Sequence, residues 1–308
     1  MVVKIFSGTN SKYLTDKILQ VYGAKLGDMS IQKFSDGEFH PIINESVRGA
    51  FVFHINSTNA PVENFFETLL FIDTAKRASA EYITCVIPYF GFARQDRKDK
   101  SRVPITAKLM ADLLQAAGAH RVMTLDLHAD QVQGFFNIPV DHLRSEAIFK
   151  PFLKSIVNEN TLFSCPDVGG VKRARNYAKY FNTELVICDK SRVKVNEVNS
   201  MQVIGEVEGH DVILVDDIVD TAGTLCAAAS ALKSKGAKSI KVMCTHPVLS
   251  GSAYEKIEAS EIERLYVTDT LPLKKESSKI TVLSSAALFS KAISTVHEHK
   301  SIAELYAD

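Results

Sequence analysis

Residues 212–224 read V-I-L-V-D-D-I-V-D-T-A-G-T, and this stretch decides the fold. Its first four residues form a continuous apolar run rich in β-branched side chains, which is typical of a strand buried on both faces of a parallel sheet. Asp216 and Asp217 follow the run at the carboxyl end of that strand, where open α/β sheets bind their ligands. A helix is predicted to begin near Leu225, which makes the stretch a strand, a loop and a helix in sequence.

The loop D-T-A-G-T at 220–224 has the composition of a phosphate-binding loop. Gly223 permits backbone conformations with positive φ, and Thr221 and Thr224 add hydroxyl donors. The start of the following helix offers unsatisfied N–H groups and the positive end of a dipole. The preceding carboxylates would repel phosphate, so they are assigned to sugar hydroxyls or to Mg²⁺ held through water. The alternative is a solvated strand end followed by an ordinary helix cap.

The composition argues against several classes of protein. A length of 308 residues predicts two domains, because single cores usually stop growing before that size. Lys plus Arg equals Asp plus Glu at 36 each, so no overall positive field would attract nucleic acid or an anionic membrane. The start M-V-V-K-I-F-S-G lacks an apolar signal segment, and no apolar run approaches about 18 residues, so neither export nor membrane insertion is expected.

The cysteines predict a reducing compartment. They lie mostly in apolar runs and show no C-x-x-C spacing: Cys85, Cys165, Cys188, Cys226 and Cys244. Neither a metal framework nor a disulfide framework is therefore expected. A cytoplasmic location follows from this pattern.

Strand and helix patterns alternate along the chain, which is the signature of an α/β protein with mostly parallel sheets flanked by helices. In the first half, strands are predicted at 3–6, 51–55, 82–87 and 121–127, and helices at 11–22, 62–77 and 105–117. In the second half, helices are predicted at 145–157, 171–180 and 225–235, and strands at 161–165, 184–188, 211–215 and 240–244. An extended segment meets a new helix near 141–145, which predicts domains at 1–143 and 144–308.

One repeated spacing suggests that the two halves arose by duplication. Gly118 precedes a β-type run that ends at His128, and Gly236 precedes a similar run that ends at His246, ten residues from Gly to His in each case. Two equivalent domains would bring ligands to their facing strand ends.

Three polar segments have structural interpretations of their own. F-S-D-G-E at 34–38 joins two short predicted strands, so its composition predicts a hairpin turn. R-Q-D-R-K-D-K-S-R at 94–102 could be a solvated charged turn, a mobile lid or an anion site. Lys190 and Arg192 lie in a polar segment after a predicted strand, which is typical of an exposed hairpin.

His128 is the histidine that the spacing singles out. It follows Asp126 by two residues at the end of an apolar run, so both side chains are predicted to point to the same face of the sheet. A single histidine in such a place is usually structural.

Taken together, these motifs resemble the class I synthetases of phosphoribosyl pyrophosphate (PRPP), also called ribose-phosphate diphosphokinases, within the phosphoribosyltransferase superfamily. The loop after 215 is similar to the ribose-5-phosphate loop of that superfamily. The resemblance runs nearly end to end and includes F-S-D-G-E (34–38), I-N-E-S-V-R-G (43–49), K-R-A-S-A-E (76–81), I-P-Y-F-G-F-A-R-Q-D-R-K-D (87–99), P-I-T-A-K-L (104–109), D-L-H-A (126–129), Q-G-F-F-N-I-P-V-D (133–141), G-G-V-K-R-A-R (169–175) and V-T-D-T-L-P (267–272).

The resemblance implies two tandem phosphoribosyltransferase-like domains and a Mg²⁺-dependent reaction. Diphosphate would pass from ATP to the 1-hydroxyl of ribose 5-phosphate, giving PRPP and AMP. Lys190 and Arg192 match the catalytic flexible loop, and Arg192 would also reach the sugar phosphate. The residues implied to bind ribose 5-phosphate are Asp216, Asp217, Asp220, Thr221, Ala222, Gly223 and Thr224. The alternatives are a non-catalytic regulatory subunit of the same fold and a phosphoribosyltransferase.

The resemblance also assigns nucleotide and metal contacts. The residues implied to contact ATP are Phe34, Asp36, Gly37, Glu38, Arg94 and Gln95. His128 and Asp167 match positions near the Mg²⁺ that is bound to the ATP phosphates. Because Mg²⁺ prefers oxygen ligands and keeps waters, these two side chains are expected to contact it partly through water.

Assembly and regulation are implied by the resemblance as well. Members of the family look like dimer-based homo-oligomers, often hexamers, whose ATP and effector sites are completed by a neighbouring subunit. The candidate effector residues are Ser46, Arg48, Arg102 and Ser301. This chain departs from the family pattern at Val168, at Pro247, at 142–146 and at Ala303, where a serine is usual. The loss of that hydroxyl leaves effector control an open question.

Overall fold

The computed structural model describes residues 2–191 and 200–306, and it divides the chain into two compact units. Unit 1 comprises Met1–Ala147 together with Ser285–Asp308, and unit 2 comprises Ile148–Ser284. Each unit contains its own sheet and its own hydrophobic core.

The first part of unit 1 forms a parallel sheet and a separate hairpin. In chain order its elements are β1 (Val3–Ser7), α1 (Lys12–Tyr22), β2 (Met29–Lys33), β3 (Phe39–Ile43), β4 (Phe51–Ile55), α2 (Glu63–Arg77), β5 (Tyr82–Ile87), α3 (Thr106–Ala117), β6 (Arg121–Leu125) and β7 (Val140–Leu143). The sheet has the strand order β1-β4-β5-β6-β7, and its neighbours all run parallel. Strands β2 and β3 pair antiparallel and stand apart from it.

Unit 2 is built around a seven-stranded sheet. Its elements are α4 (Glu146–Leu153, which begins two residues before the division), β8 (Thr161–Cys165), α5 (Val171–Phe181), β9 (Leu185–Ser191), β10 (Ser200–Ile204), β11 (Asp211–Val219), α6 (Gly223–Ser234), β12 (Ser239–Pro247), α7 (Ala253–Ala259), β13 (Arg264–Thr268) and β14 (Ile280–Leu283). The strand order is β10-β9-β8-β11-β12-β13-β14, and only the β9–β10 pair is antiparallel.

Strand β11 is buried on both faces, as its apolar run predicts. Val212 and Leu214 pack into one core cluster, and Ile213 and Val215 pack into another on the opposite face. Each fully buried side chain of this size stabilises the fold by roughly 1.5–3 kcal/mol relative to exposure. The strand that carries the site is therefore fixed by apolar packing on each side.

The C-terminal segment differs from the predicted domain boundaries, which assign 144–308 to the second domain. Helix α8 (Ala286–His297) packs with unit 1, where it lies against α1. The ring of His297 lies 5.7 Å from the ring of Phe51, measured between centroids. These contacts join residues far apart in sequence, and a local pattern of hydrophobicity cannot show them.

The fold class predicted from the sequence is confirmed, since both main sheets are mostly parallel and are flanked by helices. Within the described residues, no helix combines the length and the apolar character that a membrane crossing requires.

Candidate functional site

The acidic end of β11 lies at a point where the sheet of unit 2 changes its direction of winding. From β8 the chain passes through α5 to β9 on one side, whereas β11 joins β8 on the other side. Pairing between β8 and β11 ends at Leu214, but pairing between β11 and β12 continues to Val219. Asp216 and Asp217 therefore lie beside the end of a neighbouring strand, and open α/β sheets bind ligands at such switch points.

An arginine from α5 holds this carboxylate pair. The Nη1 atom of Arg173 lies 3.1 Å from Oδ1 of Asp217 and 3.9 Å from Oδ1 of Asp216. The side chain of Asp217 is only 7% exposed, so its charge needs this partner. Arg173 has no role predicted from its sequence pattern. Its signal was present in K-R-A-R at 172–175, the basic start of the helix that follows β8.

The carboxyl group of Asp216 is suited to a ligand that donates hydrogen bonds or carries positive charge. Burial, followed by the nearby charge of Asp217, raises the pKa of the Asp216 carboxyl well above its usual range, and the Arg173 guanidinium only partly offsets this. Oδ1 of Asp216 also accepts the backbone N–H of Asp217 at 2.9 Å. The ionised form of Asp216 is therefore disfavoured at this strand end unless a ligand that donates hydrogen bonds or carries positive charge binds there.

Asp216→Asn is expected to raise the thermal unfolding temperature at neutral pH by a few degrees, at about 2–4 °C for each kcal/mol gained in a chain of this size. Asparagine keeps an oxygen that can accept the Asp217 N–H but removes the like charge. Because the native pKa of Asp216 is raised, the wild type loses stability as pH rises through that value, and the variant does not. The difference in unfolding temperature should therefore be small in acid and grow as pH rises.

Thermal scans at several pH values test this expectation, with Asp211→Asn at the opposite end of β11 as the matched control. A gain in stability that is equal at all pH values, or a loss at neutral pH, would contradict it.

The loop after β11 is anchored at its base and exposed at its tip. The backbone N–H of Ser250 donates to the carbonyl of Asp220 at 3.0 Å, and the two side chains are also hydrogen-bonded. Beyond this anchor, Thr221, Gly223 and Thr224 are exposed. The hydroxyl donors predicted for phosphate therefore lie on the surface of unit 2.

The prediction that Gly223 supplies the positive φ is wrong. The residue with φ of +59° is Ala222, which caps the N-terminus of α6, and Gly223 is the first residue of the helix. The helix begins two residues earlier than predicted, so the left-handed turn falls one residue before the glycine. A Cβ atom at Gly223 would meet only Oγ1 of Thr221, at 3.9 Å. The missing side chain thus leaves open space over the helix N-terminus, where a ligand can approach the backbone.

Asp167 follows β8 and begins a tight turn next to β11. Its exposed side chain accepts the N–H groups of Gly169 and Gly170 on one oxygen, Oδ1, at 2.9 and 3.3 Å. A Cβ at Gly170 would lie 2.9 Å from the Cβ of Cys165 and 3.5 Å from the carbonyl oxygen of Val215. This second glycine allows the turn to pack closely against the strand that carries Asp216.

Of the two predicted catalytic cations, one lies within the described residues. Lys190 is a strand residue of β9, and its backbone partner is Met201 in β10. The antiparallel pairing confirms the hairpin that the polar segment predicts. Arg192 lies outside the described residues.

In unit 1, two of the predicted nucleotide contacts, Arg94 and Gln95, share one cavity with His128. The cavity has a volume of about 600 Å³ and is lined by residues that include Arg94, Gln95 and His128. Its two sides are joined where Nε2 of Gln131 donates to Asp96 at 3.0 Å. The 94–102 segment supplies Arg94, Arg97 and Lys100 to the cavity wall, so of its three interpretations the geometry favours the anion site.

The alternation predicted through Asp126 and His128 stops earlier in the structure. Strand β6 ends at Leu125, and Asp126 has a φ of +36°. Asp126 is buried and accepts both the N–H and the hydroxyl of Ser145, whereas His128 is exposed at the cavity. The period-two rule fails here because it holds only within an extended strand.

The predicted hairpin at 34–38 is confirmed. Gly37 has a φ of +97°, its N–H donates to the carbonyl of Phe34 at 3.1 Å, and β2 and β3 pair on either side. Phe34 is 45% exposed. The predicted ATP contacts of this hairpin are Phe34, Asp36, Gly37 and Glu38, which are not among the lining residues of the described cavity.

The predicted effector residues are all exposed members of unit 1: Ser46, Arg48, Arg102 and Ser301. The hydroxyl of Ser301 accepts the N–H of Ala303 at 3.3 Å. The Ser301 hydroxyl is therefore hydrogen-bonded within its own turn, to Ala303, which replaces the serine that is usual in the family pattern.

The described residues include no cluster of three or more His, Cys, Asp or Glu side chains arranged to hold a metal ion. The exposed side chains of His128 and Asp167 can each provide one donor to a metal ion. A single donor of either kind fits a hard cation that keeps its waters and binds mainly to phosphate oxygens. It does not fit a closed structural metal site.

Comparisons with known proteins give matches over nearly the whole chain. The family model described as the N-terminal domain of ribose phosphate pyrophosphokinase matches residues 3–118, and the phosphoribosyl synthetase-associated domain matches residues 164–307. Ribose-phosphate pyrophosphokinase of Porphyromonas gingivalis is 51% identical over 303 residues, covering 98% of this chain and 97% of the relative. The enzyme of the same name from Wolinella succinogenes is 52% identical over 304 residues, covering 98% of each chain. The crystal structure of phosphoribosylpyrophosphate synthetase from Mycobacterium smegmatis matches with a TM-score of 0.92 at 35% identity, covering 97% of this chain and 100% of that chain.

Proposed function

The chain belongs to the ribose-phosphate pyrophosphokinase family and catalyses PRPP synthesis, and from this premise we propose how its residues bind the substrates and transfer the diphosphoryl group. The substrates that the family implies are ATP and ribose 5-phosphate. Full-length similarity to pyrophosphokinases decides against the phosphoribosyltransferase and the non-catalytic subunit as alternatives.

Ribose 5-phosphate binds at the end of β11. Asp216 and Asp217 accept hydrogen bonds from the ribose hydroxyls, and Asp220, held by Ser250, completes the acidic side of the site. The 5-phosphate binds to the backbone N–H groups and hydroxyls of 221–224 at the N-terminus of α6, where the helix dipole favours an anion. The carboxylate pair held by Arg173 and the exposed helix start support this division between sugar and phosphate.

ATP binds in the cavity of unit 1. Arg94 pairs with phosphate or stacks on the purine, and Gln95 is positioned by a hydrogen bond from Thr106. The hairpin at 34–38 contributes Phe34, Asp36, Gly37 and Glu38 to the adenine site of a neighbouring subunit. Its exposed tip, which does not line the described cavity of its own chain, supports this assignment.

Mg²⁺ is the metal that these residues fit. His128 and the second carboxylate oxygen of Asp167 would hold it, directly or through water, together with the ATP phosphates. When bound, the ion supplies positive charge that neutralises the triphosphate. Direct ligation by an imidazole is unusual for Mg²⁺, so we assign His128 a contact through water or phosphate.

The transfer itself requires alignment and positive charge rather than a protein base. The 1-hydroxyl oxygen of ribose 5-phosphate attacks the β-phosphorus of ATP in line and releases its proton to solvent. The bond from that phosphorus to the oxygen that bridges it to the α-phosphate breaks, and AMP leaves. Lys190 and Arg192 stabilise the charge that develops on the transferring group. Arg192 also binds the sugar phosphate.

We further propose a dimer-based homo-oligomer, with a hexamer as the expected form. Effectors would bind near Ser46, Arg48, Arg102 and Ser301, with weaker control than usual because of Ala303. The five cysteines are all unpaired, which supports a reducing, cytoplasmic location. Light scattering tests the assembly, and an active monodisperse monomer would exclude a shared ATP site.

One observation carries the function beyond family membership. An arginine-held carboxylate pair and an exposed phosphate-type loop lie together at the switch point of the sheet in unit 2.

The purified protein is expected to release AMP from ATP only when ribose 5-phosphate and Mg²⁺ are both present. Chelation with EDTA should abolish this release, and added Mg²⁺ should restore it, because the phosphates need the cation for charge neutralisation. AMP and PRPP should form in equal amounts. Folded protein that releases no AMP at saturating substrates and Mg²⁺ would contradict the proposal, as would AMP release that does not depend on the sugar phosphate.

A further inference from the structure

The strongest unassigned feature of unit 1 is a set of hydrogen bonds around the backbone that leads to His128. The segment Asp126-Leu127-His128, called here the His128 turn, leaves β6 with Asp126 in a left-handed conformation, φ +36°. Such a conformation costs on the order of 1–3 kcal/mol for a residue other than glycine, so surrounding contacts must hold it. Those contacts come from the next strand and from the C-terminus of the chain.

His142, in β7, binds the middle of the turn directly. Its Nε2 atom accepts the backbone N–H of Leu127 at 2.8 Å, so the residue next to His128 is held by an imidazole rather than by a second strand. The N–H of Asp126 donates to the carbonyl of Leu143 at 3.0 Å. The turn therefore depends on a side chain at the point where regular pairing of β6 and β7 ends.

Ser145 and Arg144 fix the two ends of the turn. Both the N–H and the hydroxyl of Ser145 donate to the carboxylate of buried Asp126. Arg144 donates through Nη1 to Asp130, two residues beyond His128, at 2.8 Å.

The C-terminal segment secures these donors. The hydroxyl of Tyr306 accepts the backbone N–H of Arg144 at 2.8 Å. Burial raises the pKa of this phenol to about 12, so it remains neutral and keeps its hydroxyl. Through this bond, a residue near the end of the chain reaches the strand end that holds the His128 turn.

We propose that His142, Ser145 and Tyr306 are positioning residues for PRPP synthesis, which hold the His128 turn in the geometry that binds Mg·ATP. The inference rests on the proposed role of His128 and extends it to side chains that do not touch the substrate. His128 lines the cavity, whereas His142, Ser145 and Tyr306 do not belong to its described lining. They act by fixing the direction in which the turn presents the imidazole.

The test compares His142→Leu with His142→Gln, whose amide oxygen matches the position of Nε2 and can still accept the Leu127 N–H. Calorimetric titration with Mg·ATP, without ribose 5-phosphate, should show about tenfold weaker binding for the leucine variant and recovery of most of the affinity in the glutamine variant. The KM for ribose 5-phosphate should stay within about twofold of wild type, because that site lies in the other unit.

Tyr306→Phe, which removes only the acceptor for Arg144, should weaken Mg·ATP binding by about threefold to fivefold. Its matched control is Tyr22→Phe. The Tyr22 hydroxyl is also hydrogen-bonded to the C-terminal part of the chain, at Ser294 in α8, which lies outside the segment that holds the His128 turn. Hydrogen exchange of a peptide covering 121–135 should accelerate in His142→Leu and Tyr306→Phe and remain slow in Tyr22→Phe and His142→Gln.

His128→Ala, measured in parallel, separates this inference from the proposed function. Weakened binding in His128→Ala with wild-type binding in His142→Leu and Tyr306→Phe would overturn the inference alone. Wild-type binding in His128→Ala would overturn the proposed nucleotide role and the inference with it. If affinity for both substrates falls equally in the positioning variants, their role is only structural and the inference is wrong. Should His142→Leu not fold, Tyr306→Phe decides the question.

Discussion

Lys190→Ala is expected to lower kcat by about 10³-fold or more while the protein remains folded. Cations that contact the transferring phosphoryl group act mainly in the transition state, so the KM values for both substrates should change much less than kcat. The fold should persist because Lys190 is one position of a paired strand, with Met201 as its backbone partner. Steady-state kinetics for AMP release, combined with thermal unfolding of each variant, provide the measurement.

Two further lysine variants make this result specific. Lys190→Arg keeps the positive charge and should retain more activity than alanine, although its planar head will not reproduce the geometry fully. Lys238→Ala removes an exposed lysine elsewhere in unit 2 and should leave kcat unchanged. A kcat for Lys190→Ala within about tenfold of wild type would remove this residue from the mechanism.

Gly223→Val is expected to weaken ribose 5-phosphate binding by about 10- to 100-fold without unfolding the protein. A Cβ atom here meets only Oγ1 of Thr221 at 3.9 Å, so the protein itself has room for a side chain. A phosphate bound to the N–H groups at the start of α6 would occupy the same space, so the valine side chain would collide with it. The loss of one charge-assisted hydrogen bond is worth about 1.5–3 kcal/mol, which corresponds to the stated range.

The KM for ribose 5-phosphate and direct binding of the sugar phosphate both report this effect. Gly223→Ala should give a smaller loss in the same direction, because one methyl group obstructs less of the helix start. Ala227→Val places the same branched side chain at an exposed position one turn further along α6 and is the matched control. Unchanged affinity in Gly223→Val, with the variant folded, would place the phosphate elsewhere.

The candidate site was predictable where function depends on a short continuous segment. The run at 212–215 requires a doubly buried strand, and the loop that follows must then lie at the carboxyl edge of the sheet. F-S-D-G-E likewise contains the residues of its own turn, so its hairpin could be derived without neighbours. In such cases the local preference and the tertiary environment agree.

The equal Gly-to-His spacing in the two halves shows where a sequence pattern stops predicting structure. Gly118 and Gly236 both have positive φ, at +118° and +90°. The two histidines at the matching spacing nevertheless differ, because His128 is exposed beyond the end of β6, whereas His246 is buried in β12 and hydrogen-bonded to Thr270. Equal spacing fixed the local turn, but the length of each strand determined the environment of its histidine.

Periodicity and turn chemistry act over a few residues, so the amino-acid sequence was sufficient to predict the α/β class, the strand that bears Asp216 and Asp217, and the loop after it. Arg94, Gln95 and His128, which share the cavity of unit 1, were assigned only through the resemblance of their motifs. Only the tertiary structure paired Arg173 with those carboxylates, moved the positive φ from Gly223 to Ala222, and joined Tyr306 to Arg144 and the C-terminal helix to unit 1. Each of these depends on where the burial of apolar surface brings distant segments together, and hydrogen bonds or ion pairs then form between groups that no local pattern connects.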